Sequence, residues 1–68
     1  MRNLEKKLRR AWARCLRRGR ARVCRTMELQ FFRGEVILYW DDGCAALAMS
    51  FRSVGELLDW MRAEGLLD

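Results

Sequence analysis

An α+β fold in the order α-β-β-β-α, a three-stranded antiparallel meander with two helices packed on one face, follows from three observations in this 68-residue chain. Apolar residues recur at helical spacing near each end, and each such run closes on a glycine. Between them, apolar and polar residues alternate as in half-buried strands. Two glycine-containing turns divide that stretch, and the registers they dictate agree with each other. Residues 1–68 are expected to form a single small domain.

Asn3 suits an N-cap, and Leu4, Leu8, Ala11, Trp12 and Cys15 then fall on one stripe at helical spacing. Lys6, Arg10, Arg14 and Arg17 gather on the far side, with Lys7 and Arg18 flanking. Gly19 supplies the stop, and Arg17 and Arg18 complement the negative end of the helix dipole. A helix is therefore expected over about 4–18.

Ala21, Val23, Met27, Leu29 and Phe31 share one parity, interrupted by Arg25, which predicts a first strand over about 21–32. Arg33-Gly34 separates it from a second strand at 35–41. Asp42-Gly43, a hairpin signal, leads to a third at about 44–51. A two-residue loop at Arg33-Gly34 pairs Phe31 with Val36, Leu29 with Leu38 and Met27 with Trp40. A two-residue loop at Asp42-Gly43 pairs Trp40 with Ala45, Leu38 with Leu47 and Val36 with Met49. Both hairpins put the large residues on one face, which is what two independent turns in one meander must do.

Ser53-Val54-Gly55-Glu56 fits a capping box, and Val54, Leu57, Leu58 and Met61 form the apolar stripe of a helix over about 54–64. Gly65 suits the residue just beyond its end, with Leu66 packing back on Met61.

Charge is sharply divided. The first 25 residues carry eleven Lys/Arg and one acid, Glu5, for +10, whereas the remaining 43 carry three Arg and eight acids, for −5. Solubility does not require such segregation, because interspersed charges serve it with less self-repulsion. An anionic partner is the expected reason. Twelve of the fourteen basic residues are arginine, which favours bidentate recognition of phosphate or carboxylate. Lys6–Arg10, Arg10–Arg14 and Arg14–Arg18 are like-charge i,i+4 pairs costing together on the order of 1 kcal/mol, and only Glu5–Arg9 offsets them. A codon composition that enriches arginine on a solvated surface would also produce such a face. So would internal compensation, with the acids of the second half covering the cationic helix.

Catalysis is not expected. The chain has no histidine for general base work near neutral pH, and no nucleophile-elbow, P-loop or zinc-deaminase pattern. No cofactor or metal is implied, because three cysteines without CxxC spacing and without histidine cannot assemble a four-ligand zinc site. Cys15, Cys24 and Cys44 are expected to be reduced, small buried hydrophobes of a cytoplasmic protein. Asp41-Asp42 is read as a turn, and Cys24, beside Arg22 and Arg25, as a packing residue. No stretch reaches the ~18 apolar residues of a spanning helix, and no secretory signal is recognisable. The first helix is amphipathic and carries Trp12, but its apolar side is thin and wanted by the sheet, so membrane association is not expected.

The second face of the sheet carries Phe32, Ile37 and Tyr39 beside Ala46, Ala48, Ser50, Gln30 and Glu28, continued by Arg20, Arg22, Cys24 and Thr26. Such a face either stacks unpaired bases or seals a homodimer. Trp60, between Glu56 and Glu64 and off the centre of the last helix's stripe, packs at the core rim or anchors a protein contact.

In element order alone, over its 68 residues, the chain resembles the double-stranded-RNA-binding domain. That family opens its last helix with a lysine cluster, whereas this one opens Ser53-Val54-Gly55-Glu56 and continues with Asp59 and Glu64, so no residue role is carried over.

The expected function is that of a small non-enzymatic binding protein. Lys6, Arg10, Arg14, Arg17, Arg18, Arg20 and Arg22 would engage nucleic acid, or the acidic face of machinery that handles it. Phages and mobile elements commonly encode short basic chains of this kind as regulators or inhibitors of host machinery. The alternative is a dimeric inhibitor or adaptor acting through Phe32, Ile37, Tyr39 and the acidic last helix with Trp60.

Overall fold

The computed structural model describes the main chain of residues 2–67 and the side chains of residues 4–67. Its elements are α1 (Arg2–Arg18), β1 (Arg20–Cys24), β2 (Met27–Phe32), β3 (Glu35–Asp41), β4 (Ala46–Phe51) and α2 (Val54–Ala63). The class is α+β, as expected, but the meander has four antiparallel strands in the order β1-β2-β3-β4 rather than three. Element order is thus α-β-β-β-β-α, and the likeness in order to the double-stranded-RNA-binding domain does not hold.

α1 buries Leu8, Ala11, Trp12 and Cys15, with Leu4 partly buried beside them, which is the expected stripe. The helix is already formed at Arg2, ahead of the expected cap Asn3, whose side chain lies outside the described residues. Gly19 ends it with φ +91°, its N–H donating to the Cys15 carbonyl at 2.8 Å.

The expected first strand over 21–32 is two strands. Arg25 and Thr26 turn the chain so that Cys24 pairs with Met27, Arg22 with Glu28 and Ala21 with Leu29. Neither turn residue has positive φ, so this hairpin lacks the primed turn whose twist matches paired strands. An irregularity between Arg22 and Cys24 absorbs the mismatch, and it brings Cys24 to the core with Val23. A twelve-residue strand would also have been about twice the usual length. Arg25 interrupted the apolar parity because it sits in a turn.

The β2–β3 register is the expected one, Leu29 with Leu38 and Met27 with Trp40. Its turn is a primed type, with φ +52° at Arg33 and +82° at Gly34. The β3–β4 register differs by two residues from expectation: Trp40 pairs with Leu47, Leu38 with Met49 and Val36 with Phe51. Asp41 and Asp42 cause the longer loop. Asp41 Oδ1 accepts from Gly43 N–H at 2.9 Å, and Asp42 Oδ1 accepts from the N–H groups of Cys44 and Ala45, both at 2.9 Å. These bonds stabilise a four-residue loop over a two-residue turn. An even slip preserves parity, so the large residues remain on one face.

α2 has Ser53 as N-cap, its Oγ accepting from Glu56 N–H at 3.1 Å. Glu56 Oε1 reaches one residue further back than a capping box requires and accepts from Arg52 N–H at 2.9 Å. The helix ends in a Schellman arrangement: Leu66 N–H donates to Met61 O at 2.8 Å and Gly65 N–H to Arg62 O at 3.0 Å. Leu66 is partly buried against the core.

The core lies between the helices and one sheet face. Leu8, Leu29, Leu38, Leu57, Leu58 and Met61 are fully buried, each burial worth about 1.5–3 kcal/mol. The helices do not cover that face completely. α1 lies mainly on β1 and β2, and α2 reaches α1 and β4. Phe31, Leu47 and Met49, on the covered side by parity, remain exposed.

Candidate anion-binding surface

α1 divides its surroundings into three sides. Toward α2 lie Glu5, Arg9 and exposed Leu16, with Glu5 pairing to Arg9 at 3.1 Å and across to Arg62 of α2 at 3.3 Å. Toward the β1 edge lie Lys7, Arg14 and Arg18, with Arg14 Nη2 donating to the main-chain oxygen of Arg22 at 3.2 Å. The outermost side carries Lys6, Arg10 and Arg17, all exposed.

Ion pairing separates the basic residues into two groups. Arg20 and Arg22 both pair with Glu28, at 3.3 and 3.2 Å, and Gln30 Nε2 donates to the same carboxylate. Glu28 is largely buried under these groups, its side chain 17% exposed. Arg22 also donates to the carbonyls of Cys24 and Arg25, so its guanidinium is a structural tie on the open sheet face. Among the described residues, no carboxylate pairs with Lys6, Lys7, Arg10, Arg14, Arg17 or Arg18. Internal compensation therefore stops at β1. The one described ion pair between α1 and the second half runs the opposite way, from Arg62 to the lone acid of the first half.

No known family profile, curated protein or solved structure matches the chain.

Of the other predicted residues, Phe32 and Tyr39 are exposed on the open sheet face and Ile37 is half-buried between their positions. Phe32 pairs with Glu35 and Tyr39 with Glu28, so the two rings lie four ladder positions apart, about 13 Å along the strands. They do not form a continuous stacking platform. Arg33 covers the Phe32 ring at 5.1 Å from its centroid. Trp60 is at the core rim, edge-on to Trp40 and against Phe51. Its ring is packed on the sheet rather than standing free.

Arg25, not among the expected site residues, lines an open depression of about 440 Å³ with Arg22, Thr26, Glu28, Tyr39 and Trp40. Its break in the apolar parity is the one sequence signal that marks this position. The three thiols are free but not alike. Cys15 is buried, which pushes its pKa up, whereas Cys44 is exposed in the β3–β4 loop, contrary to the expected burial. At Cys24 burial raises the thiol pKa most, but hydrogen bonds from the Thr26 side chain and the Thr26 and Met27 N–H groups, with the charge of Lys7, together lower it. Among the described residues, no three His, Cys, Asp or Glu gather to hold a metal ion. No described helix is long and apolar enough to cross a membrane.

Proposed function

We propose that this is a non-enzymatic binding protein whose α1 seats an anionic polymer, namely nucleic acid or the acidic face of a protein that handles it. One observation carries the reading: six cations on two sides of α1 have no described carboxylate partner, although the acids of the second half outnumber its cations. Leaving like charges adjacent costs stability, and a phosphate chain relieves it while releasing counterions. The core holds the opposite side of α1 rigid, so the arginines meet a partner with little further ordering. Lys6, Arg10 and Arg17 form the seat, and Lys7, Arg14 and Arg18 its flank. Arg20 and Arg22, already engaged by Glu28, extend its field toward the sheet. Covering a partner's functional surface in this way makes the protein a regulator or inhibitor by occlusion.

The test is binding of duplex and single-stranded oligonucleotides over a salt series. Engagement of about four phosphates gives a log–log slope near −4 for duplex. Arg10→Glu with Arg17→Glu, at exposed positions that make no described side-chain hydrogen bond or ion pair, abolishes it. Binding that is absent at low salt, or that survives both substitutions, removes nucleic acid as the target. An acidic protein partner must then show the same dependence on Arg10 and Arg17.

A further inference from the structure

The sheet has two edges, and they are treated differently. On β1, Gly19 O accepts from Phe31 N–H, so Ala21 turns its main-chain groups toward β2 while Arg20 and Arg22 turn theirs outward. That edge is closed by familiar devices: two exposed arginines, the irregularity at Val23, and Arg14 occupying the outward carbonyl of Arg22. On the other edge, Asp41 N–H donates to Thr26 O, so odd-numbered residues of β3 face β2 and even-numbered ones face β4. Leu47, Met49 and Phe51 accordingly use their main-chain groups on β3, and Ala46, Ala48 and Ser50 present theirs to solvent. From Ala46 to Phe51 this strand has no charge, no proline and no bulge, and Ala46 through Ser50 are exposed on both faces.

We infer that β4 pairs with β4 of a second copy of this chain, forming an eight-stranded sheet about a two-fold axis through Ala48. This register matches Ala48 with itself and Ala46 with Ser50 as hydrogen-bonded pairs, using every outward main-chain group of the strand. It sets Leu47 of each copy beside Met49 of the other in a non-hydrogen-bonded pair, where side chains come closest, and so covers two of the three apolar residues the helices leave exposed on that face. Charge favours the same occupant. β4 begins after Asp41-Asp42 and ends just before Arg52, whose guanidinium holds Glu35 at 3.6 Å yet stays 81% exposed, so antiparallel self-pairing brings that exposed cation of one copy opposite the acidic loop of the other. Small side chains at Ala46, Ala48 and Ser50 leave the open face unobstructed across the seam.

Ala48→Pro is the decisive variant, because the Ala48 N–H makes no bond within the chain and an edge strand tolerates proline there. Molar mass is measured across a protein dilution series, after nuclease treatment and in high salt so that no bridging polymer is counted. The expected result is a dimer whose dissociation constant Ala48→Pro raises by about 30-fold or more, through loss of the two central hydrogen bonds. Ala48→Thr, which keeps the N–H, remains dimeric. In the unsubstituted protein, the amides of Ala48 and Ser50 exchange slowly when concentrated and fast when dilute. A monomer at all concentrations overturns the inference and leaves the edge to a strand of a different protein. A dimer indifferent to Ala48→Pro, or one without protection at Ala48 and Ser50, overturns it too. If Ala48→Pro fails to fold, the exchange measurement decides.

Discussion

Arg14 Nη2 donates to the main-chain oxygen of Arg22 at 3.2 Å, so one cation of α1 is spent on tying the helix to the edge strand while its neighbours stay free. The bond also removes an outward acceptor from the β1 edge. Arg10, four residues earlier on the helix, makes no described side-chain hydrogen bond or ion pair and adds only like-charge repulsion.

Different stability changes are therefore expected at these two arginines. At high salt, where its like-charge pairs with Arg10 and Arg18 are screened, Arg14→Ala lowers stability by about 0.5–1 kcal/mol, since the bond is exposed and water partly replaces it. Arg10→Ala raises it by a few tenths of a kcal/mol at low salt, and the gain vanishes at high salt. Urea unfolding at two ionic strengths reads both, and equal effects at the two positions would contradict the tie.

Trp60 stands edge-on to Trp40, ring centroids 6.4 Å apart at 89°, and lies 5.9 Å from Phe51. Trp60→Ala is expected to cost about 2–3 kcal/mol, below the full core value because the ring is only partly buried. Trp60→Phe keeps most of the apolar contact and costs less. Thermal unfolding checks the order, and an Ala variant within about 0.5 kcal/mol of the parent would show the ring to be idle.

The β3–β4 loop should respond to acid. Hydrogen bonds from the Ala45 and then the Cys44 N–H hold the Asp42 pKa below 3.8. A carboxylate depressed in the folded state contributes stability above its unfolded pKa and loses it as pH falls through the folded one. The amide resonances of Cys44 and Ala45 are expected to titrate together with a midpoint below 3.8, and Asp42→Asn removes that titration. A midpoint at or above 3.8 contradicts the loop geometry.

Much was legible in the residues alone, because the signals concerned are local. The α1 stripe from Leu4 to Cys15, the Arg33-Gly34 turn, the Ser53 cap and the Gly65 end each depend on neighbours within a few positions, and each is present. The Arg25-Thr26 hairpin was not legible, since it uses neither glycine nor asparagine and shows itself only as a break in parity. The β3–β4 register lies two residues from the one a two-residue turn dictates, because the Asp41 and Asp42 carboxylates hold turn amides that dipeptide rules do not count.

The candidate surface divides in the same way. That α1 has a basic side opposite an apolar one follows from 3.6-residue periodicity, and so belongs to the sequence. Which cations stay free is a matter of distance between elements: Glu28 takes Arg20 and Arg22 because β1 pairs with β2, and Arg62 takes Glu5 because the helices meet. Order along the chain determined the signs of the two halves. Only the fold decided that the negative half would neutralise the first strand and leave the first helix bare, because Coulomb pairing acts through space and is largely screened between solvated charges more than about 8–10 Å apart at physiological salt.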